Sequence, residues 1–169
     1  FAIEASEEFA RPGYPLGSKA LLLCELDGSD ELVSNDLETV LSLLSKASSV
    51  RVSESEEERL LLWKGRKSAF PAVGRISPDY YCMDGTIPKR HLGDVLEKIN
   101  ALSMRYSLRV ANVFHAGDGN LHPLILYDAG VPGELERTEE FGNEILKLCI
   151  DVGGSITGEH GVGVEKLDA

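Results

Sequence analysis

The order of elements in this sequence predicts an α+β fold: ferredoxin-like halves of mainly antiparallel sheet, with helices packed on one face. Three observations carry the expectation. Apolar residues between Pro88 and Tyr106 recur with the helical period, at Leu92, Val95, Leu96, Ile99, Leu102 and Tyr106. The pair Asp118-Gly119 lies between the apolar runs Val110–Phe114 and Leu121–Tyr127 and marks a hairpin. Along the chain, strand–helix–strand–helix is followed by strand–helix–hairpin–helix–strand.

Each element has its own warrant. Residues 1–11 make an amphipathic helix, closed by Pro12-Gly13. Ala20–Leu26 reads as a buried strand that stops at Asp27-Gly28. Ser34 is placed to cap a helix with Leu37, Val40, Leu41, Leu44 and Ala47 at helical spacing. Residues 50–52 form a short strand. Ser53 and Glu56 make a capping box for the next helix, whose acidic first turn suits the helix dipole. Farther along it, Leu62, Trp63, Arg66 and Phe70 share one face, so Arg66 leaves from the apolar side. There it either packs its stem while its head reaches water, or offers a guanidinium fork to a carboxylate.

An irregular connector, Pro71–Pro78, carries a second cation in Arg75. Residues 79–86 read as a strand and Pro88 opens the striped helix. Hairpin strands follow at about 108–116 and 120–127, then a helix over 134–151 with Leu135, Phe141, Ile145, Leu148 and Val152 on its core face. Residues 153–163 hold five glycines in eleven positions, which means tight turns or close backbone approach.

Composition narrows the function classes. A chain of 169 residues, 43% hydrophobic and 27% charged, buries one good core. Its net charge of −11 argues against nucleic acid and anionic membranes as partners. Any anionic substrate then needs a local cation or a metal. Cys24, Cys82 and Cys149 are far apart in sequence, as isolated thiols of a reducing, cytoplasmic compartment would be. No apolar run suits direct membrane insertion. Both ends look cut, as if this were a piece of a longer protein.

The hairpin points to chemistry. With Asp118 and Gly119 as the turn centre, His115 opposes His122, and directly opposed residues bring their Cβ atoms to about 4.5–5.5 Å on one face. Two imidazoles so placed can chelate a metal, although paired strand histidines also occur without one. The glycine-rich loop adds Glu159 and His160. On a regular strand these neighbours would point oppositely; they serve one site only if the glycines bend the backbone.

Two stretches, Asn112-Val-Phe-His-Ala-Gly-Asp-Gly-Asn-Leu-His-Pro and Gly154-Ser-Ile-Thr-Gly-Glu-His-Gly-Val-Gly, resemble the signatures of the C-terminal, cap domain of FAD-linked oxidases of the vanillyl-alcohol-oxidase superfamily. Leu62–Pro88 narrows the resemblance to the flavin-subunit branch that oxidises glycolate. It covers nearly the whole chain. It implies a cap domain over residues 1–169, with an N-terminal FAD-binding domain and a C-terminal tail outside this sequence. It also implies Arg66 as the carboxylate-binding residue. Relatives that oxidise D-2-hydroxyglutarate carry a lysine where Cys82 stands here, so a smaller substrate is expected, glycolate or D-lactate. The expected partners are a second flavin-type subunit and an iron–sulfur subunit, through which the protein would sit peripherally at the inner membrane.

Placed on one divalent ion, His115, His122 and Glu159 leave open positions for a 2-hydroxy acid. Zinc, iron or manganese would suit this set. His160 would serve as general base, since an imidazole titrates near neutrality. Asn112 and Asn120 would orient the ligands, though an asparagine at position 120 could equally just form the turn. Two rival readings are a non-catalytic metal-binding interaction module and a metal-dependent hydrolase.

Overall fold

Strand β5 (Pro123–Tyr127) is apolar at successive positions and buried from Pro123 to Leu126. A strand without polar alternation needs cover on both faces, and the computed structural model, described over residues 1–167, provides it. β5 is the middle strand of a three-stranded antiparallel sheet, with β1 (Asp79–Cys82) and β3 (Val110–Asn112) on its edges. Ile125 faces the larger core, where Val95, Ile99 and Leu102 of α5 (Leu92–Tyr106) meet Phe141 and Ile145 of α6 (Glu134–Asp151). Leu124 and Leu126 face a smaller core formed with Ala5 of α1 (Ala2–Ala10) and Ala69, Ala72 and Val73 of α4 (Ala69–Val73). Helices therefore cover the expected face, and a second, smaller pair covers the other. Truncating Ile125, which has no exposed surface, to alanine would cost about 2–5 kcal/mol.

A two-stranded antiparallel sheet pairs β2 (Gly85–Thr86) with β4 (Asn120–Leu121). Thr86 also bridges to Ser155, which ties the glycine-rich loop to this sheet. The striped helix forms as expected, with Val95, Ile99 and Leu102 buried. So do the first helix and the helix over 134–151.

The α+β class holds, with antiparallel sheets, but the residues before Asp79 supply helices only. Residues 20–26 are not a strand, and Leu21 and Leu22 are exposed. Residues 50–52 are not a strand either. Neither segment has a ladder partner among the described residues, and apolar sequence cannot make a strand without one. Helix α2 (Asp30–Leu43) begins after Ser29, not Ser34; the Ser29 hydroxyl accepts from the Leu32 N–H. The capping box lies two residues later than expected. Ser55 accepts from the Glu58 N–H, and the Glu58 carboxylate accepts from the Glu54 N–H, at the start of α3 (Glu56–Lys67). The expected strand over 79–86 breaks at Met83-Asp84, where Asp84 turns wholly inward.

Candidate metal and substrate site

Geometry at the hairpin differs from the expected register and still unites the histidines. Asn112 pairs with Pro123, the Val113 N–H donates to the His122 carbonyl, and His115 bridges to Asn120. The turn is thus a four-residue loop over 116–119, not a two-residue turn at 118–119. A type I′ turn would need positive φ at Asp118 as well, and only Gly119 adopts it, at 73°. Gly119 cannot be replaced cheaply there: a Cβ would run into the Ile87 carbonyl oxygen. Moving the centre by one residue shifts the pairing by two, which preserves side-chain parity. His115 and His122 become diagonal neighbours on one face, within reach of long side chains. Their ring centroids are 5.4 Å apart and nearly perpendicular.

The glycine-rich loop is wrapped around a carboxylate. Asp84 Oδ2 accepts from the N–H groups of Gly158 (3.0 Å), Glu159 (3.1 Å) and His160 (2.8 Å), and from the Thr157 hydroxyl (2.9 Å). Three consecutive amides pointing at one anion bend the chain sharply. Glu159 and His160 therefore both reach His122, despite being neighbours. Glu159 Oε2 lies 3.5 Å from His122 Nε2. The His160 ring stacks on His122 at 5.1 Å between centroids, 16° from parallel. Gly158 is held close to Asn120, so a Cβ there would meet the Asn120 side-chain oxygen at 2.6 Å.

His115, His122 and Glu159 place ligand atoms within 4.8 Å of one another. The 3.5 Å separation of His122 from Glu159 is close to the ~3.3 Å edge of a tetrahedron with metal–ligand bonds of ~2.0–2.1 Å. His122 is buried, whereas His115, Glu159 and His160 are exposed. Burial holds the His122 pKa below its ordinary value; Glu159 and Asp84 oppose the shift, while His160 and His115 add to it. The ring is thus biased toward the neutral, ligating form. The donor set suits a divalent ion.

Arg66 stands beside the hairpin. Its guanidinium is half-buried and donates to the Phe114 carbonyl at 3.4 Å, one residue before His115. Burial lowers its pKa. Among the described residues no carboxylate lies within 4.0 Å of it, which leaves its fork open to an anion. Phe70 lies past the end of α3, in α4, and its ring packs edge-on to His122 at 6.2 Å.

Asn120 is buried in β4 rather than in the turn, and Asn112 is half-buried in β3. Each has a buried side-chain oxygen without a hydrogen-bond partner. Cys82 is half-buried; burial and then Asp84 push its thiol up to about 11. Its sulfur also lies within 4.8 Å of the His122 and His160 nitrogens.

Sequence reasoning missed Asp84 and Lys166 as parts of this site. Asp84 has no exposed surface, and Lys166 is 5% exposed with its ammonium 3.7 Å from Asp84. Desolvation would raise the Asp84 pKa, but the amides of His160, Gly158 and Glu159 and the Thr157 hydroxyl hold it below the usual carboxylate range. One signal was available: an Asp-Gly pair inside an apparent strand, where aspartate is disfavoured. Nothing local marks Lys166.

An antiparallel α+β scaffold with a His–His–Glu cluster at the foot of a glycine-rich loop defines the class. The family of FAD linked oxidases, C-terminal domain, matches residues 1–169, and the chain belongs to it. It is 61% identical over 169 residues to the glycolate oxidase subunit GlcD of Escherichia coli K12, covering 99% of this chain and 34% of that protein. Against the Bacillus subtilis subunit of the same name identity is 39% over 162 residues, 95% of this chain and 34% of the relative. A mitochondrial D-lactate dehydrogenase (cytochrome) of Arabidopsis thaliana is 28% identical over 159 residues, 92% of this chain and 28% of the relative. The chain thus spans about a third of the length of these curated relatives.

Proposed function

We propose that this chain is the metal- and substrate-binding cap of an FAD-dependent 2-hydroxy-acid oxidoreductase that oxidises glycolate to glyoxylate. The observation that carries this reading is the convergence of His115, His122 and Glu159 beside Arg66, which has no acidic partner among the described residues. His115, His122 and Glu159 would hold a divalent ion, which would supply Lewis acidity at this site. Arg66 binds the substrate carboxylate through its guanidinium. His160, stacked on His122, accepts the substrate hydroxyl proton on a ring nitrogen. Asn112 in β3 and Asn120 in β4 would orient the ligands.

The sheets of the described residues are antiparallel and form no strand–turn–helix crevice of the doubly wound kind. In this reading another part of the protein holds most of the FAD. The relatives' names support the substrate class, glycolate before D-lactate. The word "subunit" in two of them supports assembly with other chains, which we assign as a second flavin-type subunit and an iron–sulfur subunit. No helix among the described residues is long and apolar enough to cross a membrane. A cytoplasmic protein held at the inner membrane by those partners fits this.

Zinc titration of the metal-stripped chain tests the reading. One ion per chain is expected, with stoichiometric uptake lost in His115→Ala and His122→Ala. Full uptake by either variant would refute the ligand set. One observation favours a second reading: Cys82 lies close enough to His122 and His160 to close a structural, non-catalytic site. Cobalt spectra separate the two. A thiolate charge-transfer band unaffected by glycolate would favour the interaction module, and a glycolate-sensitive spectrum without that band favours the substrate site.

A further inference from the structure

One buried side chain holds the glycine-rich loop and lies 4.0 Å from His122 without belonging to the ligand set. We infer that Asp84 is the positioning residue of this site: its carboxylate presets both the Glu159–His160 loop and the His122 ring, with Lys166 as its counter-charge. The inference rests on the metal reading above and extends it inward by one layer.

The strand break at Met83-Asp84 puts a charged group where no water reaches it. Burial of a lone carboxylate is costly unless it is paired and hydrogen-bonded. Asp84 is both. Consecutive amides of 158–160 form an anion-binding concavity of the kind that elsewhere accepts phosphates, and here the chain's own carboxylate fills it. The Lys166 ammonium, 3.7 Å from Oδ2, offsets the charge and makes no hydrogen bond among the described residues.

The same carboxylate faces the buried ligand. Asp84 Oδ1 is 4.0 Å from His122 Nδ1, a buried nitrogen without a hydrogen-bond partner. A carboxylate on that side favours a proton on Nδ1. That leaves the lone pair on Nε2, the nitrogen turned toward Glu159. Carboxylates behind ligating histidines fix tautomer and ring orientation in this way. Asp84 therefore selects which His122 nitrogen is offered and delivers Glu159 opposite it.

The test compares the metal-stripped parent chain with Asp84→Asn, which keeps the shape and removes the charge. Zinc affinity is read by competition with a chromophoric chelator, folding by circular dichroism, and the His122 tautomer by long-range nitrogen–proton NMR without metal. A folded Asp84→Asn chain is expected to bind zinc about 10–100-fold more weakly. Its His122 is expected to lose the Nδ1–H preference of the parent, a change that a merely structural role would not produce. A folded variant with parental affinity and parental tautomer overturns the inference. If Asp84→Asn does not fold, Thr157→Val removes one donor to the carboxylate; a several-fold loss of affinity supports the inference, and parental affinity overturns it. If the parent takes up no zinc, the metal reading fails separately. The tautomer then decides alone: Nδ1–H in the parent supports the hold of Asp84 on His122, and Nε2–H refutes it.

Discussion

Residues at the site combine exposure on one side with burial on the other, and this division assigns their effects. Arg66 is half-buried, hydrogen-bonded to one carbonyl and without an acidic partner among the described residues. In the full-length protein, Arg66→Ala should weaken substrate binding by about 1.5–3 kcal/mol, as for a charge-assisted hydrogen bond; the glycolate dependence of the rate reads this directly. An unchanged dependence would remove Arg66 from the site. Cys149 illustrates burial in the core. It has no exposed surface, and desolvation pushes its thiol up to about 11. An unfolded thiol ionises near 8.5. Between these values the unfolded chain holds fewer protons than the folded one, so stability falls as pH rises through this window. Thermal unfolding between pH 8 and 10.5 should show a shallower loss in Cys149→Ala than in the parent. Residue identities at the site were legible because histidine and glutamate among glycines are few and chemically specific. Asp84 was not, because its role depends on amides 74 to 76 positions away.

Among elements, the glycine-rich loop shows how backbone, not side chain, builds this site. Gly154 lies against the Thr86 carbonyl and the Cys149 carbonyl, and an added Cβ would overlap both. Neither partner is a flexible side-chain end. Gly154→Ala should therefore break the Thr86–Ser155 bridge and lose zinc uptake, with destabilisation of about 1–3 kcal/mol by chemical denaturation. Parental stability would show that the loop can shift without cost. Helices with a strong apolar stripe were legible, since the period alone defines α5 and α6. Capping signals located α3 but erred by two residues, because serines at 53 and 55 both precede acidic residues at the right spacing. The hairpin register was misread because Asp118-Gly119 mimics a two-residue turn. Parity rescued the conclusion that His115 and His122 share a face.

In the whole molecule, order is concentrated where the sheets lie. Both cores are built around β5, whereas α2 buries none of its residues and the preceding segment exposes Leu21 and Leu22. Native-state hydrogen exchange should accordingly find α2 amides opening at far lower free energy than those of α5 and α6, which draw on the full core. Equal protection would mean that α2 is packed in solution. Segments 20–26 and 50–52 were misjudged for the same reason: an apolar run states that burial is wanted, not where a partner strand will be found. Two-sided cover of β5, by contrast, could have been read from the unbroken Pro-Leu-Ile-Leu run.

The surroundings of His122 also make it observable. Its ring is stacked on that of His160 and meets those of His115 and Phe70 in T-shaped contacts. Protons held over neighbouring rings feel their circulating electrons, so the His122 carbon-bound protons should resonate away from those of half-buried His91, which lies outside this cluster. Any arrival at the site that tilts one of these rings moves that signal. The protein thus carries an unlabelled reporter at its centre, by which the proposed uptake of metal and then of glycolate can be tested in sequence, one resonance at a time.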